Sequence, residues 1–489
     1  MMNWKMWQKC VGKMGKKLPI FLFIFILLYV IGSLICYPML TKRHVLKQKE
    51  KYAEQDTKET VDRSASVRCL DDNTQALVYR LALIESAQRE LIMTTFDMSD
   101  GESGQDLMAA MLQAADRGVR IRLMVDGINA WLKLEKSDLF GAFSTHPNIE
   151  IRFYNPIRLT KLWKLNYRMH DKYLIADDTA YILGGRNSNN LFLGAYRDTY
   201  NIDRDLYVLE RTEKNESDVM QKKERNSLQD IKAYFEKIWV QPDQKIFRKK
   251  ETEKTKEGLA LLREHYKELQ TVYPEAFSET ETLLTQDLIR VDSIRFLHNP
   301  LYADEKVPVV YQRICQEMEQ GESILIQTPY IICDKGMYQD LSELCRAGKQ
   351  IEIITNAVES GANPWGCTDY LNEKKSILKT GAGVYACMAG QSLHTKTVLI
   401  DDETSIVGSY NLDLRSTYLD TELMLLVKSK ELNKQLRDQA AAYQEKSTYE
   451  KAGKPSRTGS LYEKKEMSGM QKVIYSILRI LIRPIREVL

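Results

Sequence analysis

Two segments of this 489-residue chain carry the same pattern of histidine, lysine and asparagine at one fixed offset. The first reads MHDKYLIADDTAYILGGRN and the second reads LHTKTVLIDDETSIVGSYN. The matching residues lie 224 positions apart: His170 and His394, Lys172 and Lys396, Asp177 and Asp401, Gly184 and Gly408, and Asn187 and Asn411. Because the chain has only six histidines, the equivalent placement of two of them indicates an internal duplication.

These residue types suit the transfer of a phosphate group. A neutral imidazole can attack phosphorus and form a covalent intermediate, and a protonated imidazole can give its proton to the departing alkoxide. We expect the lysines and asparagines to stabilise charge on the non-bridging oxygens. We expect no metal ion and no cofactor, because no acidic cluster with metal-ligand spacing accompanies the motif and the eight cysteines form no CxxC pair.

Four carboxylates could support the histidines or the strands that carry them. A catalytic imidazole needs a partner on its second nitrogen, and Asp205 in RDLYVL and Glu422 in TELMLLV stand at comparable points of a following strand. We therefore predict that each of them orients one histidine. Asp177 and Asp401 are predicted either to contact the substrate or to brace the turn in which they lie, and the sequence leaves both roles open.

The local sequence predicts a β-hairpin in each repeat. Each histidine is two residues from its lysine, and side chains at i and i+2 of a strand point to the same face. An apolar run, an Asp-Asp turn and a second apolar run follow. The hairpin then ends at Gly184 and Gly185 or at Gly408 and Ser409, where we expect the backbone to approach a ligand closely. Two such hairpins facing each other would form one site.

The rest of the body alternates short apolar strands with amphipathic helices. Strands are predicted over 91–96 and 119–125 with a helix over 105–117 between them, and strands over 323–328 and 351–355 flank a helix over 335–347. This alternation predicts an α/β fold. The charge-dense stretch 246–290 between the halves is predicted to be a linker.

A charge-free stretch over 18–40 predicts one membrane-spanning helix. At about 1.5 Å per residue it is long enough to cross a bilayer. A cleaved signal peptide is the alternative, but the stretch is long for one and no small-x-small site ends it. The basic residues on the two flanks nearly balance, and the acid-free N-terminal flank favours a cytoplasmic N-terminus with the catalytic body outside the cytoplasm.

The C-terminal residues 470–489 predict a basic amphipathic helix. Its apolar residues are Ile474, Leu478, Leu481, Ile485 and Val488, and its basic residues are Lys472, Arg479, Arg483 and Arg486. Such a helix suits an anionic membrane surface. Docking of the same helix on the protein body is the alternative.

Composition excludes several classes of protein. The chain is 44% hydrophobic, which is enough for packed cores and excludes a disordered or collagen-like polymer. Its formal net charge of only +3 argues against nucleic acid as a partner.

The paired HxKxxxxD signature, followed by GGRN or GSYN, resembles the phospholipase D superfamily. Other segments, including LALIESAQRELIMTTFDMSD, AADRGVRIRLMVDG and GSYNLDLRS, resemble its bacterial cardiolipin synthase branch. The resemblance implies two similar phospholipase D-like α/β sandwich domains with a pseudo-twofold shared active site, and a phosphohistidine intermediate. It also implies that the catalytic residues are His170, Lys172, Asn187, His394, Lys396 and Asn411.

The resemblance further implies transfer of a phosphatidyl group between two phosphatidylglycerol molecules, with release of glycerol. A phospholipase D that uses water, a nuclease and a catalytically silent membrane scaffold are the alternatives. Two features depart from the family pattern. The chain has one predicted anchor where many cardiolipin synthases have two, and Gly185 stands where the second motif has Ser409.

The sequence therefore predicts an ordered series of segments. They are a basic segment at 1–17, a transmembrane helix at 18–40, a stalk at 41–68, a first domain at 69–245, a charged linker at 246–290, a second domain at 291–446, and a polar linker with the C-terminal helix at 447–489.

Overall fold

The computed structural model describes residues 20–47, 65–210, 226–302, 305–361 and 363–489. The predicted basic segment 1–17 lies outside these residues, and so do 18–19 of the predicted membrane helix and 48–64 of the predicted stalk. The described residues form two nine-stranded mixed sheets with helices packed on them, which confirms the predicted α/β class with two similar domains.

Within the residues that the structure describes, each half of the chain supplies ten strands. Those of the first half are β1 (Ala65–Leu70), β2 (Glu90–Thr95), β3 (Arg120–Asp126), β4 (Ile149–Tyr154), β5 (Tyr173–Ala176), β6 (Ala180–Gly184), β7 (Asn201–Ile202), β8 (Asp205–Glu210), β9 (Lys245–Phe247) and β10 (Ile289–Arg290). Those of the second half are β11 (Ser293–His298), β12 (Ser323–Gln327), β13 (Gln350–Asn356), β14 (Gly383–Cys387), β15 (Ser392–Leu393), β16 (Thr397–Ile400), β17 (Thr404–Gly408), β18 (Leu423–Lys428), β19 (Ser447–Glu450) and β20 (Arg457–Thr458).

Eight strands follow the same order in both sheets, and each sheet has one additional edge strand, β10 in the first and β20 in the second. The first runs β10-β1-β8-β6-β5-β2-β3-β4-β9 and the second runs β11-β18-β17-β16-β12-β13-β14-β19-β20. In each sheet three parallel strands lie beside an antiparallel block that contains the motif hairpin, β5–β6 or β16–β17. The shared order is the structural counterpart of the sequence repeat.

The helices cover the outer faces of the sheets and the seam between them. They are α1 (Ile20–Leu46), α2 (Asn73–Ser86), α3 (Glu102–Asp116), α4 (Gly127–Lys133), α5 (Asp138–Phe143), α6 (Ser227–Trp239), α7 (Glu253–Val272), α8 (Pro274–Phe277), α9 (Thr280–Thr285), α10 (Val309–Gln320), α11 (Lys335–Arg346), α12 (Pro364–Lys379), α13 (Leu414–Tyr418), α14 (Lys430–Gln444) and α15 (Gly469–Leu481).

One buried apolar cluster joins the two halves. It contains strand residues from the first sheet, such as Ile175 and Val208, and from the second, such as Leu399 and Leu425. Burial of apolar surface contributes about 25 cal/mol per Å². The two sheets are therefore one packed body, and this packing holds the two motif hairpins against each other.

The predicted linker 246–290 is wrong: most of this stretch belongs to the first domain. β9 extends the first sheet beside β4, α7 packs against α3 and α5, and β10 pairs with β1. One face of α7 is buried through Leu262, Tyr266 and Leu269. The charged residues cover its solvent side, and their density hid the apolar period of the helix.

The N-terminal helix α1 is apolar and long enough to cross a membrane by length and composition. It contains a π-helical turn over Gly32–Cys36 and continues to Leu46 instead of ending at residue 40. The first residues of the predicted stalk are therefore helical, and its last residues lie in β1, which begins at Ala65.

The C-terminal segment packs on the body more than the sequence predicts. β19 and β20 lie within the predicted polar linker and extend the second sheet. The amphipathic helix α15 forms, but Tyr475 and Ile482 are buried and Arg486 pairs with Asp369 at 2.7 Å. The opposite side of α15 stays exposed. Docking on the body thus buries only one side of the helix.

Candidate active site

The two motif hairpins place their histidines where the halves of the molecule meet. His170 precedes β5 and His394 precedes β16. The backbone beside each histidine runs parallel to a segment of the other half: Met169 bridges to Thr421, and β15 pairs with β7. The site is therefore built jointly by both domains, as the pseudo-twofold arrangement requires.

Each histidine is held by a carboxylate from the opposite half. Nδ1 of His170 lies 2.9 Å from Oε1 of Glu422, and Nδ1 of His394 lies 2.5 Å from Oδ2 of Asp203. Both carboxylates are fully buried. A bond at Nδ1 fixes the orientation of an imidazole ring and leaves Nε2 for chemistry. The contact of Glu422 agrees with the sequence prediction.

The predicted role of Asp205 is wrong. Its carboxylate pairs with Arg80 at 2.9 Å and with Arg186 at 3.4 Å, and the histidine partner is Asp203. Strand register explains the error, because Gly184 pairs with Asp205 whereas Gly408 pairs with Met424. Counted from those glycines, the structural equivalent of Glu422 is Asp203.

The two motif lysines are buried beside the histidines. Nζ of Lys172 donates to the carbonyl of His170 at 2.5 Å and lies 5.3 Å from the centre of the Phe96 ring. Nζ of Lys396 donates to the carbonyl of His394 and lies 3.4 Å from Oδ2 of Asp203. Two ammonium groups in one site can balance the charge of a bound phosphate.

The two motif asparagines are the least satisfied polar groups of the site. The side-chain oxygens of Asn187 and Asn411 are buried and make no hydrogen bond to the residues that the structure describes. An unsatisfied buried polar atom costs about 1–3 kcal/mol. The same pattern at equivalent positions of both repeats leaves each carboxamide oxygen able to accept from a hydroxyl, while the NH₂ group of the same side chain can donate to a phosphate oxygen.

Two phenylalanines flank the histidines and were missed by the sequence analysis. Phe96 packs edge-on against His170, and Phe192 packs edge-on against His394, both with ring centroids 5.0 Å apart. Both come from the first half of the chain and lie outside the repeated motif, so the two contacts are alike in geometry but are not related by the repeat.

The small residues after each hairpin are packed closely against neighbouring protein groups. A Cβ on Gly184 or Gly408 would meet the backbone of the adjoining strand, and one on Gly185 would meet the Asp203 carboxylate. Ser409 instead donates its hydroxyl to Oε2 of Glu422. Packing therefore accounts for the small residues, and the Gly–Ser difference follows from the two different carboxylates. The close approach of a ligand at these four positions stays a prediction.

Burial and the neighbouring ammonium groups favour neutral imidazoles. Burial, with a further contribution from Lys396, lowers the pKa of His394 to about 4. Burial and Lys172 lower the pKa of His170 well below its ordinary value. Burial also lowers the pKa of Lys172 to about 7 and that of Lys396 below its usual range. A dianionic or monoanionic ligand would reverse much of this shift by supplying negative charge.

The two supporting carboxylates are not equivalent in charge. Burial raises the pKa of Glu422 to about 8. Burial also acts to raise the pKa of Asp203, but Lys396 and His394 outweigh it and hold that pKa below its ordinary value. Near neutral pH the Asp203 side is thus ionised, and the Glu422 side retains much of its proton.

Asp177 and Asp401 lie at the turn of each hairpin, at the end away from the histidines. Both adopt positive φ angles, 51° and 48°. The Asp177 carboxylate accepts three backbone N–H bonds from residues 88–90 at 2.8–2.9 Å, and that of Asp401 accepts two from residues 322–323 at 2.8–2.9 Å. Of the two roles that the sequence leaves open, the geometry assigns them the bracing of the turn.

Asp177→Ala and Asp401→Ala are expected to lower stability and to spare turnover. Each removes charge-assisted bonds to backbone N–H groups, so the free energy of unfolding should fall by about 1–3 kcal/mol. Denaturant unfolding and kcat of the folded fraction measure the two effects. Asp178→Ala is the matched control, because its ion pairs to Arg89 and Lys232 are solvent-exposed. A large fall in kcat with unchanged stability would place Asp177 or Asp401 at the substrate instead.

A family model described as "Cardiolipin synthase, PLD-like domain" matches residues 81–239 and 314–443, which contain both motifs. Cardiolipin synthase C of Escherichia coli K12 is 26% identical over 403 residues, which cover 74% of this chain and 81% of that protein. The major cardiolipin synthase ClsA of Bacillus subtilis 168 is 25% identical over 359 residues, covering 73% and 64%.

Among solved structures, the phosphatidylserine synthase of Haemophilus influenzae superposes with a TM-score of 0.60 at 15% sequence identity. The match covers 90% of this chain and all of that one. At this identity the likeness concerns the fold, and it extends over both domains.

Proposed function

The chain belongs to the family of cardiolipin synthases with PLD-like domains, and from that membership we propose that it is a membrane-anchored phosphatidyltransferase. The proposed reaction joins two phosphatidylglycerol molecules into cardiolipin and releases glycerol. The family and its relatives support the broader class, a phosphatidyltransferase or phosphodiesterase that acts on phospholipid. We propose that the catalytic residues are His170, Lys172, Asn187, His394, Lys396 and Asn411.

In the first step, Nε2 of one histidine attacks the phosphorus of phosphatidylglycerol. A P–N bond forms as the bond from phosphorus to the glycerol oxygen breaks, and the second histidine gives a proton to that oxygen. Lys172, Lys396 and the two asparagine carboxamides stabilise the charge that develops on the non-bridging oxygens. Glycerol then departs, and the phosphatidyl group remains bound to the histidine.

In the second step, the second histidine removes a proton from a hydroxyl group of another phosphatidylglycerol. The resulting alkoxide attacks phosphorus, the P–N bond breaks, and cardiolipin forms. Water in place of that hydroxyl gives phosphatidic acid, which is the alternative phospholipase D reaction. Exclusion of water therefore decides between transferase and hydrolase.

The observation that carries this proposal is the crossed pairing of the histidines. His170 and His394 come from different domains, and each has Nδ1 occupied by a buried carboxylate of the other domain. Such a pair leaves one Nε2 atom for the attack on phosphorus and one for the proton transfer. A nuclease is a poorer explanation, because the net charge of the chain is near neutral. A catalytically silent scaffold is also a poorer explanation, because it gives no reason for the unsatisfied buried oxygens of Asn187 and Asn411.

A product assay tests the proposal. Full-length protein in mixed micelles is given phosphatidylglycerol labelled in both its glycerol headgroup and its acyl chains. We expect labelled cardiolipin and free glycerol in equal amounts. Phosphatidic acid as the main product would replace the transferase by a hydrolase, and the absence of any phospholipid turnover would overturn the enzyme assignment.

The rate should depend on pH through a bell-shaped profile. One imidazole must be neutral to attack, so protonation of the histidines should lower the rate at acidic pH. Loss of the proton from the histidine that protonates the leaving glycerol, and from Lys172, with a pKa of about 7, should lower it at basic pH. The two apparent values belong to the coupled groups. A rate that rises steadily to pH 10 would contradict this assignment.

The membrane anchor sets the place of the reaction. In the described part of the chain, one apolar N-terminal helix is long enough to cross a membrane. This helix and the bacterial cardiolipin synthase relatives fit a membrane anchor. We propose a single-pass arrangement at the cell membrane with the catalytic body outside the cytoplasm, with phosphatidylglycerol and the anionic membrane surface as partners.

A further inference from the structure

The apolar helix α1 is divided into an exposed part and a part packed on the body. Large apolar side chains from Ile20 to Leu28, and Ile31, are exposed. The Tyr29 hydroxyl already bonds to the body. From Ser33 onward the helix packs on it: the Leu34 carbonyl accepts a bond from Asn166 at 2.8 Å, and the ring of Tyr37 packs against that of Tyr167 with centroids 6.4 Å apart. The helix thus enters the catalytic body well before its apolar sequence ends at Leu40.

The exposed part is too short to cross a bilayer alone. Residues 20–31 span about 18 Å at 1.5 Å per residue, whereas the hydrocarbon core is about 30 Å thick. Lys17 closes the apolar stretch in the sequence, so at most two residues can be added at that end. About 10 Å of hydrocarbon must then surround the part of α1 that is already packed on the body.

On one side of α1, the body has exposed apolar side chains next to the part of the helix where this packing begins. The Tyr29 hydroxyl donates to the Leu159 carbonyl at 2.8 Å, and the Leu159 side chain is 76% exposed. Ile157 is exposed in the same loop. The first turn of α4 packs against this loop at Pro156, and α4 carries the exposed Leu132.

On the other side, the tail offers a second apolar face. The turn after α15 contacts the C-terminal part of α1, where Lys42 forms an ion pair with Glu487 at 2.9 Å. Exposed apolar residues of α15 include Val473, Ile477 and Ile480. At about 100° per residue these three side chains lie on one face of the helix and Arg479 lies on another, so the face suits hydrocarbon rather than water.

We propose that Leu132, Ile157, Leu159, Val473, Ile477 and Ile480 form a lipid-facing rim that is immersed in one leaflet of the bilayer around α1. The occupant of this surface is lipid hydrocarbon, because the rim is continuous with the exposed face of the helix and supplies the missing apolar thickness. Exposed Lys472 and Arg483 lie beside the tail face, where anionic headgroups would meet them.

The rim has a consequence for the substrate, and this step rests on the proposed function. Asn166 and Tyr167, which contact α1, precede His170 by only a few residues. A body immersed to the depth of the rim holds the histidines near the headgroup level. The phosphate of a membrane lipid can then reach the site while its acyl chains remain in the leaflet.

Photo-crosslinking in full-length protein tests the rim independently of activity. The photoreactive residue p-benzoylphenylalanine is placed at Leu159 or Ile477, and at Leu261 or Leu461 as controls of similar exposure on α7 and near β20. Each protein is reconstituted into vesicles of phosphatidylglycerol and phosphatidylethanolamine, irradiated, and analysed by mass spectrometry. We expect lipid adducts at Leu159 and Ile477 and none at the controls.

Two results would overturn the rim. One is the absence of lipid adducts at Leu159 and Ile477, and the other is equal adduct formation at the controls. Crosslinked dimers in place of lipid adducts would assign the surface to a second copy of the chain and also overturn it. The same adducts should form in a His394→Ala background, so loss of turnover alone would count against the proposed function and not against the rim.

Discussion

His170→Ala and His394→Ala are each expected to lower kcat by about 10⁴-fold or more, because the imidazoles act as one unit. One of them forms the covalent intermediate and the other protonates the leaving glycerol. Removing either breaks both steps of the reaction. The measurement is cardiolipin formed per folded enzyme at saturating phosphatidylglycerol, with the fold checked by circular dichroism.

His265→Ala is the matched control for these two variants. Its imidazole pairs with Asp106 and Glu268 on the outer helices of the first domain, away from the motif hairpins. Its kcat should stay close to that of the wild type. A His170→Ala or His394→Ala protein that keeps near wild-type turnover would rule out the two-histidine mechanism, whatever the control does.

Asp203→Asn is expected to lower kcat by about 10²–10⁴-fold, as loss of the orienting carboxylate does in a catalytic triad. An amide at this position no longer stabilises the charged imidazole and can bond to Nδ1 of His394 in the wrong tautomer. The affinity for lipid should change little, since the carboxylate contacts the histidine and not the substrate. Steady-state rates on mixed micelles separate kcat from KM.

Asp205→Asn is the paired comparison for that variant. Its carboxylate holds Arg80 and Arg186 in the core, so its loss should destabilise the fold by about 3–5 kcal/mol. The folded fraction should lose much less turnover than Asp203→Asn does. If Asp205→Asn abolished turnover while Asp203→Asn did not, the assignment of the histidine partner would be wrong.

The sequence located the motif residues of the site better than the carboxylates that support them. The repeat of His, Lys and Asn at one offset was sufficient to identify the residues that the fold brings together. Such a repeat is visible in the sequence alone and requires no knowledge of packing. The sequence analysis did not identify Asp203, because an alignment of DLYVL with ELMLLV by similarity places Asp205 opposite Glu422. The sheet register instead shifts that alignment by two residues.

Elements outside the repeat were predicted less well for a related reason. The apolar face of α7 is narrow, with Leu262, Tyr266 and Leu269 among many charged residues, so its sequence looked like a linker. The tail helix has two apolar edges, and periodicity alone does not tell which one packs on protein. Contacts such as Arg486 with Asp369 are tertiary, and no local pattern indicates them.

The central claim is that two domains share one site and transfer the phosphatidyl group through a histidine. Its most direct test is the stereochemical course at phosphorus, measured by phosphorus NMR with a phosphorothioate phosphatidylglycerol of known configuration. Two successive in-line displacements predict net retention of configuration in the cardiolipin product. Net inversion would show a single displacement and would contradict the covalent intermediate.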